Sequence, residues 1–292
     1  MADQIIKIGQ STLQHGKEND RVYLMKLMDV DMPDLLEKID ALARSHNYGK
    51  IFAKVPTRWL SWFCQAGFNS EALVPYFFDS NEDCHFMARY HDPQRSFEPD
   101  QQELIRVITL ARQAPTRKRT QLPENYTIRI CQPDDSPEMA RLLGSVFKSY
   151  PFPVYDPAYL IQTMTSDVRY FGAYNTDNQL AALASAEMAP KTSNVEMTDF
   201  ATAPGHRKKG LSRYLLRRME ENMRERGLAI AYTIARAKSV GMNKTFAYGD
   251  YKYGGTLVQN TQICGGLESM NVWYKHLSKK SANKSQTAPI QP

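Results

Sequence analysis

The stretch Val195-Glu196-Met197-Thr198-Asp199-Phe200-Ala201-Thr202-Ala203-Pro204-Gly205-His206-Arg207-Lys208-Lys209-Gly210-Leu211-Ser212 decides how the rest of the chain is read. Val195–Thr202 reads as a strand. Leu211–Arg226 reads as an amphipathic helix, with Leu211, Tyr214, Leu215, Met219 and Met223 spaced three or four apart and Gly227 ending it. A helix start leaves backbone N–H groups without partners and carries a partial positive charge. A phosphate answers both needs. Gly210 permits close backbone approach, and Arg207, Lys208 and Lys209 add positive charge. The turn from Gly205 to Ser212 nearly spells the nucleotide-binding pattern G-x-x-x-x-G-K-[ST]. Its essential lysine position is Leu211, however, so the contact to terminal phosphates is missing. Taken alone, the loop remains either an anion site or a plain basic turn.

Working outward, residues 126–278 form a candidate domain. Tyr126–Ile130 alternates like a strand, and a helix capped near Asp134, Asp135 or Ser136 runs to Phe147. Pro157–Met164 is a second helix. Val168–Tyr174 and Leu180–Met188 form a hairpin across Asn175–Asn178. Beyond the quoted stretch come the strand Leu228–Ala235, the short helix Asn243–Tyr248 and the strands Thr256–Gln262 and Ser269–Lys275. The order β-α-α-β-β-β-α-β-α-β-β predicts an α/β fold, a mixed sheet with helices on both faces.

Residues 115–125, proline-bounded and polar, read as a linker, and residues 279–292 as a disordered tail. Residues 1–114 read as a smaller α/β domain. Its strands are Arg21–Val30, Lys50–Val55, Leu73–Phe78 and Cys84–Tyr90, with helices Met32–Ser45, Thr57–Ala66 and Pro99–Gln113. Leu35–Ile39 followed by Ile51–Val55 parallels Leu215–Met219 followed by Ala231–Ala235, so this half reads as a degenerate repeat of the later one. It lacks a glycine-containing basic loop and is not expected to bind cofactor.

Composition bounds the function. The net charge is +6, but the basic residues are dispersed and no helix-turn-helix, zinc-finger or RNA-recognition pattern accompanies them. Nucleic acid is therefore not an expected partner. No run of 18 apolar residues or signal-peptide pattern occurs, so a cytoplasmic protein without membrane contact is expected. The four cysteines lack metal-site spacing, and Cys131 and Cys264, in strand-like contexts, read as buried free thiols. No metal is expected.

A strand, a turn, R-x-x-G-x-[small] at Arg207–Ser212 and a long amphipathic helix resemble the GNAT acetyltransferases, with Ser212 where the pattern has Gly or Ala. The resemblance covers residues 126–278. Over nearly the whole chain, Tyr150–Pro157, Met197–Thr202, Ile263–Lys275 and His15–Leu27 resemble the β-lysine N-acetyltransferases. This implies acetyl-CoA as cosubstrate and transfer of acetyl to the terminal amine of β-lysine by direct attack on the thioester. The product would be N-ε-acetyl-β-lysine, a compatible solute serving osmoadaptation. Another amine (a polyamine, lysine or a protein) and a non-catalytic acyl-CoA-binding module are the alternatives. A homodimer is one option for an oligomeric state left open.

The resemblance also implies roles. Phe200, Ala201 and Thr202 would offer backbone groups to the cosubstrate, and Arg207, Lys208, Lys209, Gly210, Leu211 and Ser212 would cradle its pyrophosphate. An alkyl ammonium must lose a proton before it attacks. Glu196 is the first candidate base, with Tyr155, Glu187, Asp199 and Glu268 as candidate substrate ligands. Asp199, three residues from Glu196, is expected on the opposite face of the strand. The segments Tyr150–Tyr155 and Glu268–Trp273 should line the acceptor pocket. The family's usual tyrosine acid aligns with Phe246, which leaves Tyr248, Tyr251 and Tyr253 as candidates or no acid at all. A zwitterionic substrate also needs a cation for its carboxylate, and no residue in the sequence marks it.

Overall fold

A computed structural model describes residues 3–113 and 121–277. Most of the expected linker, from 115 to 120, and the expected tail 279–292 lie outside the described residues. The chain opens with β1 (Gln4–Ile8), β2 (Ser11–Gly16) and β3 (Arg21–Lys26). The first two were not foreseen. They form an edge hairpin in which β1 has Ile5, Ile6 and Ile8 within five residues but Leu13 is the one apolar side chain of β2, so β2 carries almost no hydrophobic signal. Next come α1 (Leu35–Ser45), β4 (Lys50–Pro56), α2 (Leu60–Gln65), β5 (Asn69–Phe78), β6 (Glu82–Tyr90) and α3 (Gln101–Arg112).

The second half follows the expected order: β7 (Tyr126–Ile130), α4 (Ser136–Val146), α5 (Pro157–Met164), β8 (Val168–Asn175), β9 (Leu180–Ala189) and β10 (Asn194–Thr202). It continues with α6 (Leu211–Glu225), β11 (Ile230–Arg236), α7 (Val240–Tyr248), β12 (Lys252–Ile263) and β13 (Gly266–His276). Cys264, expected in a strand, sits half-buried in the turn between β12 and β13 with positive φ.

The thirteen strands make one mixed sheet, ordered β1-β2-β3-β4-β6-β5-β12-β13-β11-β10-β9-β8-β7. Within it β3 pairs parallel with β4, and β10 with β11. The run β3-α1-β4-α2-β5-β6 and the run β10-α6-β11-α7-β12-β13 thus share one order of elements and one order of strands. The halves join where β5 meets β12 at Ala72 and Gly255. A Cβ on Gly255 would stand 2.2 Å from the Glu71 carbonyl oxygen, and its φ is +147°, so only glycine fits this seam.

The apolar stripe of α6 (Leu211, Leu215, Leu216, Met219, Met223) is buried against one face of the second half's strands, over Ala182, Ala184, Ala186, Val195 and Met197. On the opposite face lie α4 and α5. There the core also takes in Tyr23, Phe52, Phe77 and Phe86 from the first half. The two halves of the chain therefore share this core. Likewise α3, assigned by sequence to the first half, packs on α7, and its Ala111 joins the core beneath α6. The remaining face of the first half packs under α1 and α2 around Val22, Leu35, Ile39 and Phe63. The sheet curls so that β4 reaches β11: the Lys54 ammonium donates to the Tyr232 hydroxyl at 3.2 Å.

Candidate active site

β10 and β11 pair only from Asn194 to Glu196 and then part. Beyond that point β10 carries a bulge against β9, where the register slips between Thr198 and Ala201 and Asp199 adopts φ of +54°. Two strand edges therefore face each other across a cleft of about 170 Å³, lined by Thr198, Asp199 and Phe200 on one side and by Thr233, Ile234, Ala235 and Arg236 on the other. Unpaired edges offer backbone donors and acceptors, which suits the amide-bearing arm of a CoA thioester.

The cleft continues through Val146, Phe200, Ser239 and Met242 into a second space of about 440 Å³ at the start of α6. Gly210 holds the N-cap position with φ of +77°, and no side chain caps this helix. Its leading N–H groups face that space, the arrangement that binds a phosphate. His206, Arg207, Lys208, Gly210, Leu211, Ser212 and Arg213 line it from the loop side, and Lys244 lines it from α7. Lys209 departs from expectation. It donates to the Tyr126 hydroxyl at 2.9 Å, and that hydroxyl meets His206 Nδ1 at 2.7 Å, so Lys209 braces the loop from behind. The Ala201 and Leu211 side chains are buried in the core, leaving only their backbone to contribute. Lys244 was not foreseen, because an isolated lysine on a short helix carries no local signal.

At its other end the cleft meets a cavity of about 250 Å³ through Tyr150, Thr198, Ile234, Ile263 and Met270. This size lies below the roughly 300–1,000 Å³ of drug-sized sites and suits a small acceptor. Glu187 and Glu196 are register partners on β9 and β10, and both line the cavity. Glu187 opens onto it, yet protein surrounds it. Burial, and then the charges of Glu196 and Asp199, push its carboxyl upward. Burial raises Glu196 as well, while Lys54 and a 2.9 Å hydrogen bond donated by Tyr232 pull it back. Asp199 is not on the opposite face, as its spacing had implied. The bulge turns it so that it accepts from the Ser185 hydroxyl at 2.6 Å and from Tyr150. Ser185 precedes Glu187 by two on the same strand, so Asp199 joins the two glutamates on one face. Burial pushes Asp199 up, and its two hydroxyl donors restrain it.

Two expected ligands lie elsewhere. The Tyr155 hydroxyl donates to the Phe147 carbonyl at 2.9 Å, closing the end of α4, and from that segment Tyr150, Pro151 and Phe152 line the cavity instead. Glu268 forms a two-pronged ion pair with Arg236 at 2.6 and 2.9 Å, and neither cavity includes it. Phe246 is fully buried, edge-on to Phe200 at 5.5 Å, and lines the cleft. Of the alternative tyrosines, Tyr248 borders the phosphate end under Arg213, while Tyr251 and Tyr253 pack around Phe246 and Trp273. The cavity also takes Arg21, Tyr23, Met25, Phe52 and Lys54 from the first half. Of these, Arg21, Tyr23 and Met25 fall in the segment His15–Leu27 that carries the family resemblance, although the sequence assigned none of the five a role at the site.

A family model described as an acetyltransferase (GNAT) domain matches residues 127–250. The fold and cleft define an acetyl-CoA-dependent N-acetyltransferase, and the chain belongs to the GNAT family. Among its relatives, the β-lysine N(6)-acetyltransferase of Methanococcus maripaludis is 37% identical over 94% of this chain and 98% of its own length. The β-lysine N(6)-acetyltransferase of Methanosarcina mazei is 32% identical over 82% and 95%, respectively. The N-acetyltransferase YodP of Bacillus subtilis is 31% identical over 91% and 96%.

Proposed function

We propose that the enzyme acetylates the terminal amine of β-lysine, giving N-ε-acetyl-β-lysine, a compatible solute, in the cytoplasm. The observation that carries this reading is the extent of the likeness to the two archaeal β-lysine enzymes, which runs through both halves of the chain. Both halves line the acceptor cavity. Its carboxylates and small size suit a short cationic acceptor.

Acetyl-CoA supplies the activated acetyl thioester. The N-terminus of α6 with Arg207, Lys208, Arg213 and Lys244 holds its phosphates, and the open edge of β10 at Phe200–Thr202 positions its arm. Glu196 takes the proton from the substrate ammonium. Of the opposed pair it is the more readily ionised, because Tyr232 and Lys54 favour its charge, whereas Glu187 holds its proton longer. The freed amine attacks the carbonyl carbon, with backbone N–H groups at the bulge receiving the developing charge on oxygen. No tyrosine at position 246 is required, since a CoA thiolate is a competent leaving group. The first half, with its matching order of elements, is a degenerate copy that has lost cofactor binding. Where the second half has its basic loop, the first has Asp29, Asp31 and Asp34, of which Asp31 is tied to the Ser11 hydroxyl at 2.6 Å.

The test is thiol release from acetyl-CoA with β-lysine, lysine, polyamines and a peptide. Turnover should be fastest on β-lysine. Clear turnover on another amine and none on β-lysine would reassign the substrate, and tight acetyl-CoA binding without any turnover would leave a binding module.

A further inference from the structure

Two cations from the first half face the acceptor cavity, and among the described residues neither has a carboxylate within ion-pair distance. Arg21, on β3, is 4% exposed. Its Nη1 donates to the Asn260 carbonyl and, at 3.2 Å, to the Thr261 hydroxyl. Its Nε is buried without a hydrogen-bond partner, as is Oδ1 of neighbouring Asn260. The guanidinium lies 5.1 Å from the centre of the Tyr23 ring, and the Lys54 ammonium lies 5.6 Å from the same ring. The two charges thus share one aromatic wall.

A buried charge with an unanswered donor is costly, and folds seldom keep one without a partner. Arg95 and Lys50 show how this chain normally treats a buried cation. Arg95 is paired with Asp20 at 2.8 Å and Lys50 with Glu71 at 2.9 Å. Arg21 lacks such a partner, and Lys54 meets Glu196 only through the Tyr232 hydroxyl, to which Lys54 donates at 3.2 Å and which donates to Glu196 at 2.9 Å. Both cations line the cavity that carries Glu187 and Glu196. The charge of the cavity is therefore divided. An ammonium is met on β9 and β10 and an anion by Arg21 on β3, while Lys54 on β4 stands between them, sharing the Tyr232 hydroxyl with Glu196. The planar fork of an arginine matches a carboxylate.

We propose that Arg21 and Lys54 receive the carboxylate of an amino-acid substrate, so that the first half of the chain selects a zwitterion over a plain di- or polyamine. This rests on the acceptor reading given above and adds the anionic end to it. Asn260 Oδ1, beside Arg21, accepts from the amino group next to that carboxylate.

The experiment compares kcat/KM for β-lysine with that for its carboxamide, which keeps both amines and loses the anion, in the parent, Arg21→Met and Lys54→Met. The parent should favour the acid, and each variant should lower the acid-to-amide ratio by about 30- to 4,000-fold, mainly through KM, the range for removing one partner of a buried charge pair. Acetyl-CoA affinity by calorimetry reports on folding. Should Arg21→Met not fold, Arg21→Lys keeps the charge without the fork and should give an intermediate ratio. A parent that takes β-lysine and its amide equally well would overturn the carboxylate site and leave the β-lysine reading intact. Arg21→Met slowing both substrates alike would also overturn it, whereas Lys54→Met, which also removes a charge that favours ionised Glu196, is read on the acid-to-amide ratio alone. If the parent ignores β-lysine but acetylates another amino acid, with the ratio to that amide collapsing in Arg21→Met, the substrate reading fails and the carboxylate site stands.

Discussion

Glu187 and Glu196 stand directly opposite each other across the β9–β10 ladder, with both side chains on the cavity face. Like charges so placed oppose each other. This arrangement costs stability and poises two protons where an ammonium must be discharged.

The cost has a pH signature. The Glu187 carboxyl is raised by burial and by Glu196 and Asp199, so it binds its proton more tightly folded than unfolded. Its penalty is absent below the unfolded value of about 4.3 and grows as pH rises from there toward the folded value. Glu187→Gln should therefore match the parent's melting temperature at pH 4 and exceed it by on the order of 2 °C at pH 8.5. Calorimetry across this range checks it, and equal differences at both ends would contradict the repulsion.

Glu196→Gln removes the proposed base while leaving an acceptor for the Tyr232 hydroxyl. A loss in kcat of about 10²–10⁴-fold is expected, the usual worth of a general base. Single-turnover measurements at saturating substrate separate it from a binding defect, and a kcat within a few-fold of the parent would move the role to another carboxylate.

Tyr150 touches both cavities and donates to Asp199. That bond helps hold the Asp199 carboxyl down against burial. Tyr150→Phe should raise it, so that Asp199 keeps its proton to higher pH and repels Glu196 less, and the acidic limb of the kcat profile, set by the base Glu196, should move to lower pH. An unmoved limb would show that Asp199 does not take part.

Gly210→Asp places a side chain at φ of +77° and a negative charge at the head of α6. Acetyl-CoA affinity should fall by at least about 100-fold, since an anion now competes for the same N–H groups. Gly210→Ala tests the backbone alone, at about 1–2 kcal/mol of left-handed strain. Unchanged binding in Gly210→Asp, read by calorimetry, would remove the loop from the phosphate site.

Glu268→Gln should leave the KM for the amine within about twofold, because Arg236 already occupies the carboxylate. It should cost about 1 kcal/mol of stability for the lost ion pair. A large rise in KM would restore Glu268 to the substrate site.

Sequence alone determined the order of elements in residues 126–277 and the glycine-containing basic turn at Gly205–Ser212 that opens α6. Strand and helix periods, and a glycine at a helix start, are written in neighbouring residues. The Arg207–Ser212 pattern and Phe246 were legible for the same reason. Tertiary structure decided which charges meet. The bulge that turns Asp199 toward Glu196 is a backbone irregularity that strand alternation does not report. Glu268 and Lys209 found partners in Arg236 and Tyr126, across strands or far along the chain, and so left the roles their positions implied. Arg21 and Lys54 enter the cavity only because a sheet of thirteen strands curls until β4 reaches β11. Residues some 140 positions or more from Glu196 along the chain thereby become its neighbours. No local pattern encodes such a meeting, since it follows from the closing of the sheet around a shared core.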